Sequence, residues 1–349
     1  MAANYQNSYL ANIHKKRLNL DLFDGRDTPI VKIRDDETIY SWCARIHRLS
    51  SCLSPNLTCQ QLFGHHSSGL RHDLPGYIRH LVDKTYCHQT AESLAVNHTV
   101  LGFFKPFLPK HIFNQYIDTM LNSLSLNIRR CLASNLSHQG VPFPLKMCLK
   151  CVSQFREIHG YTYWNIRHQS PHLQVCIKHR DYLLVAPDEF HQLIRHQWVL
   201  PDEVDIKNWG QGLMVSTEAL AILESLEKWL ASFEVLGDQP LDPSILRVVY
   251  LMEFNEKGYA SHNGAKGSAS TINAFKDQYQ SVFNLRGFDF LRDVDQYGDG
   301  VLEMVLKQRP LTRYPLKHMF ALDFLFDTPS DFFKQYFEIN EYAIKEFGL

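Results

Sequence analysis

Cys148-Leu149-Lys150-Cys151, followed after 24 intervening residues by Cys176-Ile177-Lys178-His179, is the stretch from which the rest of the chain is best read. Two thiols three apart, then a thiol and an imidazole three apart, are the ligand set of a structural zinc site. Each C-x2-C or C-x2-H unit lets one tight turn direct two donors at a single ion, and two units complete a tetrahedron. The predicted ligands are Cys148, Cys151, Cys176 and His179, holding one structural Zn2+. The spacing departs from the two-Cys, two-His finger, whose last two ligands are both histidines. The residues between the pairs are aromatic and basic: Phe155, Arg156, His159, Tyr161, Tyr163, Trp164, Arg167, His168 and His172. This reads as a ribbon or treble-clef-like knuckle. Four protein ligands leave no open position for water, so the spacing argues against metal catalysis.

The other five cysteines are an odd-numbered set, most simply reduced, and eight in 349 residues are too few for a disulfide scaffold. No run of 18 uncharged apolar residues exists, and residues 1–19 lack an apolar signal core. A cytoplasmic protein is expected.

The net charge of −1 hides a polarity. Residues 37–180 carry 15 Lys and Arg against 6 Asp and Glu, and the remainder carries 21 against 31. Such a split is the footprint expected where one half faces phosphate. Two solvated domains of opposite sign are the plainer reading.

Hydrophobic periodicity predicts a mainly α chain. Residues 1–35 read as an extended arm. Asp36-Glu37-Thr38 opens an apolar run, Ile39, Trp42, Cys43, Ile46 and Leu49, with helical spacing. A second helix is expected from Asn56 to Gly64, and the pair is compatible with a helix-turn-helix. Further helices are expected at 74–84, with Pro75 in the first turn, at 92–96 and at 110–132. A break at 98–109 places Phe103, Phe104 and Phe107 in a core or at an interface. Beyond the knuckle, helices are expected at 218–233, 242–254, 271–283 and 315–326, with a helix-turn-helix-like pair formed by the last of these and 328–336. The Gly-, Ser- and Ala-rich stretch 257–270 reads as a loop. The expected organisation is an arm (1–35), a helical, helix-turn-helix-type domain (36–140), the Cys3His knuckle (141–200) and a helical C-terminal domain (201–349).

Enzymatic motifs are missing from the sequence. There is no G-x4-G-K-[ST] phosphate loop, no G-x-S-x-G elbow and no H-E-x-x-H helix. Asp293-x-Asp295-x-Tyr297-Gly298 is not a calcium loop, because Tyr297 and Met304 occupy positions that require oxygen ligands. No catalytic residue is assigned.

One set of motifs carries a resemblance. Tyr40-Ser41-Trp42-x-Ala44-Arg45, Leu74-Pro75-x2-Ile78-x-His80-Leu81, His98-Thr99 and Pro106-Phe107 precede the knuckle. Within it stand Gly160-x2-Tyr163-Trp164-x2-Arg167-His168-Gln169 and Val175-Cys176-x2-His179. The chain resembles the TniQ/TnsD family, target-site selectors of Tn-seven-class transposons, from about residue 30 to about residue 200. A looser likeness to TnsD-type members lies in Pro315-Leu316-x-His318-x4-Asp323-Phe324-Leu325.

The resemblance implies a non-enzymatic protein that binds double-stranded DNA at a chromosomal attachment site, commonly the end of the glucosamine-6-phosphate synthase gene. It would recruit an AAA+ regulator ATPase and, through it, the transposase. TniQ-type relatives instead ride on a CRISPR RNA-guided effector complex, which is the alternative. This chain has no cysteine beyond Cys176, hence no second Cys-rich knuckle, and part of the usual C-terminal DNA reader is expected to be missing. Arg45, Arg48, Arg71, Arg167 and His168 are the expected DNA contacts in the basic half. Lys307, Arg309, Arg313 and Lys317 form a second basic cluster. Base reading is expected from 59–63 and from the helix after Pro329, and docking of the ATPase at 103–109 or on the N-terminal arm.

Overall fold

The computed structural model describes residues 31–133, 143–171, 173–209, 216–237, 239–259, 269–285, 288, 291, 300–306 and 314–347. The arm up to residue 30, His172, most of the 257–270 stretch, Asp293–Gly298 and the cluster residues Lys307, Arg309 and Arg313 lie outside them.

Helix α1 (Ile39–Leu49) starts where Thr38 caps it, the Thr38 hydroxyl accepting from Ser41 N at 3.1 Å. Every residue from Ile39 to His47 is buried, so this helix runs through the core. Ser54 caps α2 (Pro55–Phe63), Pro55 occupies its first turn, and Gly64 ends it at φ +65. Cys59, Leu62 and Phe63, expected to reach toward DNA, are buried against the core. The exposed face of α2 is Asn56, Leu57, Gln60 and Gln61.

Two sequence expectations fail at one place. The helix expected from residue 74 begins only at α3 (Ile78–Thr85), and the one expected over 110–132 splits into α5 (Lys110–Asn122) and α6 (Leu126–Ala133). Between them in sequence lie α4 (Ala91–Asn97) and a 3-10 helix, Val100–Phe107. Side chains from other turns occupy the backbone groups that a helix at 74 requires. Ser68 Oγ accepts from Gly76 N at 3.0 Å and donates to Gly76 O at 2.7 Å, while Ser125 Oγ donates to Leu74 O. Gly76 lies so close to the Ser123 carbonyl that a Cβ would sit 2.0 Å from its oxygen. Both breaks are therefore one contact.

The knuckle contributes two short antiparallel pairs. β1 (Lys146–Met147) pairs with β4 (Leu184–Val185), and β2 (Val175–Cys176) pairs with β3 (Asp181–Tyr182). α7 (Leu149–His159) lies between them and α8 (Asp188–Ile194) follows. The second half is helical: α9 (Thr217–Ser232), α10 (Pro243–Glu256), α11 (Ala269–Tyr279), α12 (Val301–Leu306), α13 (Pro315–Leu325) and α14 (Pro329–Phe347).

Three apolar clusters organise the chain. The first gathers residues 31–147 with Trp164, Ile194, Trp198 and Trp209. The second gathers α9 to α14 with Val175 and Phe107. The third is the knuckle's own, built on Cys148, Cys151, Phe155, Tyr163, Leu173, Cys176 and Leu183. The 3-10 helix joins the first two, because Phe104 enters one and Phe107 the other, stacking on His318 at 4.3 Å. Burial of Phe104 and Phe107 removes them from any docking surface.

Candidate metal centre

Cys148 follows β1 and sits at the N-cap of α7, and Cys151 lies in the first turn of that helix. The helix N-terminus carries partial positive charge and favours a thiolate. Gly160, at φ +75, terminates α7 so that the chain reverses toward Tyr163. Cys176 ends β2. Its carbonyl then accepts from His179 N at 3.2 Å and Arg180 N at 2.7 Å, a turn closed by Arg180 at φ +51. Helix N-terminus and hairpin turn thus bring both donor pairs to one point.

All four donor atoms lie within 4.8 Å of one another. His179 Nδ1 is 3.4 Å from Cys148 Sγ, 3.3 Å from Cys151 Sγ and 3.6 Å from Cys176 Sγ, and the last two sulfurs are 3.6 Å apart. A tetrahedral zinc ion has donor–donor edges of roughly 3.5–3.8 Å, given its bond lengths to sulfur and nitrogen. The observed separations fit it. Nδ1 faces the thiols, and the buried Nε2 has no protein hydrogen-bond partner. Cys176 is held well below the ordinary thiol range by hydrogen bonds from Cys148 and Cys151, while hydrogen bonding with Cys148 and Cys176 pushes Cys151 up. A divalent cation at this point would hold all three sulfurs as thiolates.

The aromatic motif between the ligand pairs builds the wall. Tyr163 stacks on Phe155 with ring centroids 4.0 Å apart. Trp164 stacks on Trp209, donates Nε1–H to Val199 O at 2.8 Å, and receives Thr38 N–H on its carbonyl at 3.0 Å. Gln169 accepts from Lys146 N at 2.9 Å and donates to Lys146 O and Asn165 O at 2.9 and 2.8 Å. Lys146, although buried, donates its ammonium to the carbonyls of Ser170 and Leu173. These bonds fix the knuckle to α1 and to residues 197–209.

The expected DNA contacts separate by environment. Arg45 is buried and its guanidinium holds Glu37, so it is a core ion pair rather than a contact. His168 is buried too, and burial lowers it to about 4, which leaves it neutral and turned away from phosphate. Arg48 is bound to Glu203, 2.6 Å at each nitrogen. Arg167 is exposed beside Glu227. Lys317 is half-buried on α13. Arg71 lies in a cleft with Arg129 and Arg195, two residues that sequence reading passed over because no local pattern links them. The helix after Pro329 exposes Asp331, Glu338 and Glu341 with Lys334 and Lys345, a poor match to a phosphate backbone.

Cations of the basic half meet carboxylates of the acidic half. Arg156 pairs with Asp202, Arg180 with Glu224 at 2.9 Å, and Arg48 with Glu203. Part of the charge polarity is therefore intramolecular.

Cys148, Cys151, Cys176 and His179 thus form, on a mainly helical scaffold, a cluster that could hold one metal ion. Residues 29–183 match the TniQ family model, a span that encloses Cys148, Cys151, Cys176 and His179. No curated protein matches the chain. Among the described residues no helix is long and apolar enough to cross a membrane.

Proposed function

We propose that the protein is a TnsD-like target selector, which binds a chromosomal attachment site in double-stranded DNA and recruits an AAA+ regulator ATPase, and through it the transposase, for transposon insertion. The observation that carries the reading is the match to the TniQ model over 29–183, a span closed by a four-ligand centre and rich in cations. Zinc, bound by Cys148, Cys151, Cys176 and His179, holds the knuckle in shape. Among the expected contacts, the exposed Arg167 and the half-buried Arg71 position phosphates and make affinity fall with salt. On α2, the exposed Asn56, Gln60 and Gln61 are the side chains suited to reading bases, since Asn and Gln amides match adenine edges in the major groove.

Footprinting with the purified full-length protein on a chromosomal end-of-gene fragment, without any RNA complex, tests the proposal. A protected segment at moderate salt is the expected result. Absence of protection would overturn it.

A further inference from the structure

Arg71, on the turn after α2, Arg129, on α6, and Arg195, at the end of α8, converge on one cleft from three separate parts of the chain. The cavity is about 350 Å3, and Ser67, His72 and His191 complete its polar wall. Like charges are held together here with little to neutralise them. Among the groups lining it, Asp73 is the single carboxylate, buried at the base, and it is bound by Arg129 at 2.6 Å. No hydrogen bond or ion pair to the described residues engages the guanidinium of Arg71 or of Arg195. Arg71 Nε is buried without a partner, an arrangement that costs free energy unless an anion supplies the missing acceptor.

The two histidines do not fill that role. His72 donates Nε2–H to Phe143 O at 2.7 Å. His191 donates Nδ1–H to Pro187 O at 2.9 Å and accepts from Leu145 N at 3.0 Å. Both rings are hydrogen-bonded into the wall, and the three guanidiniums against the one carboxylate leave the cleft an excess of two positive charges.

We propose that this cavity is a phosphate-binding site in which Arg71, Arg129 and Arg195 clamp the oxygens of one phosphate group. Planar guanidiniums bind phosphate through paired hydrogen bonds, and one phosphate matches the unbalanced charge. Ser67 adds a hydroxyl donor at the wall. The phosphate comes either from a free phosphate or nucleotide, or from the backbone of a nucleic acid. Only the second source rests on the DNA-binding reading above.

Calorimetric titration of the full-length, zinc-loaded protein with inorganic phosphate, at constant ionic strength, tests the site. A saturable one-to-one isotherm is expected, with affinity reduced at least tenfold in Arg71→Gln and in Arg195→Gln. Arg195 is exposed, so its variant keeps the fold, which thermal melting and zinc content verify. Heats no larger than those of a chloride blank, or unchanged affinity in both variants, overturn the proposal. Displacement of phosphate by a duplex of arbitrary sequence identifies the nucleic-acid backbone as the source. Duplex binding that leaves phosphate in place supports a free phosphate instead. Phosphate binding in a protein that fails to bind any DNA supports the pocket and counts against the target-selector reading alone.

Discussion

Arg45 and Glu37 form an ion pair in the interior of the region that matches the TniQ model. Arg45 Nε donates to Glu37 Oε1 at 2.8 Å, Nη2 holds the other carboxylate oxygen, and Glu37 is wholly inaccessible to solvent. Nη2 also donates to Lys32 O at 2.8 Å, and the guanidinium lies 4.5 Å over the Tyr161 ring. The pair therefore ties the segment before α1 to the knuckle.

Removing one partner strands a buried charge, which costs roughly 3–5 kcal/mol. Arg45→Ala is expected to destabilise the domain by about that amount in urea unfolding. The double variant Glu37→Gln, Arg45→Met is expected to recover most of the loss. DNA affinity of the double variant, measured under folded conditions, should match the parent. A large drop in affinity with intact stability would restore Arg45 as a contact.

The knuckle's apolar cluster is small, and three of its members are candidate metal ligands. It cannot fold on burial alone. Chelation, or Cys151→Ser, is expected to unfold it, because structural zinc contributes on the order of 10 kcal/mol to folding. Near-ultraviolet circular dichroism reports the loss through Tyr163 and Trp164. Cobalt substitution should give the absorption of a closed tetrahedral site with three thiolates and one imidazole, and a spectrum with an exchangeable water ligand would contradict the closed geometry.

His191 is neutral in the folded protein. Burial, and then the neighbouring His72, lower it to about 4, while its bond to Pro187 O and the charges of Asp73 and Asp188 oppose the shift. The unfolded chain has an ordinary histidine, near 6.5. Between these values the unfolded state binds a proton that the folded state refuses, so stability rises with pH through this window. The contribution is complete above about pH 6.5 and is lost as pH falls toward 4. His47, also lowered to about 4 by burial, adds to the same trend. Urea midpoints measured from pH 7 to 4.5 should decline, and His191→Gln should flatten the slope.

Asp323, in the loosely family-like segment of α13, is the polar hub of the second core. Its Oδ1 accepts from Ser225 Oγ and from Trp229 Nε1 at 3.1 Å, and its Oδ2 from Tyr279 OH at 2.7 Å. Asp323→Ala leaves three donors without an acceptor and is expected to cost about 2–4 kcal/mol. Trp229 fluorescence during unfolding is the direct readout, and an unchanged midpoint would remove Asp323 from the set of structural anchors.

The elements read correctly from sequence are those whose cause is local. The spacing of Ile39, Trp42, Cys43 and Ile46 produces α1 whatever surrounds it, and C-x2-C with C-x2-H places donors within one turn each. The helix from residue 74 and the continuous one from 110 were misread because Ser68, Ser125 and Ser123 act on Leu74 and Gly76 from distant positions. Local propensity carries no record of such contacts.

Charge behaves in the same way. The order of residues shows a basic half and an acidic half, and shows which four side chains can hold zinc, since both properties reside in composition and short spacing. Which cations face solvent is another matter. Arg48 meets Glu203 across 155 positions, Arg45 turns inward to Glu37, and Arg71, Arg129 and Arg195 converge from three segments. Those outcomes depend on packing between elements far apart in the chain, where desolvation and the nearest carboxylate decide whether a guanidinium is a brace or a binding group.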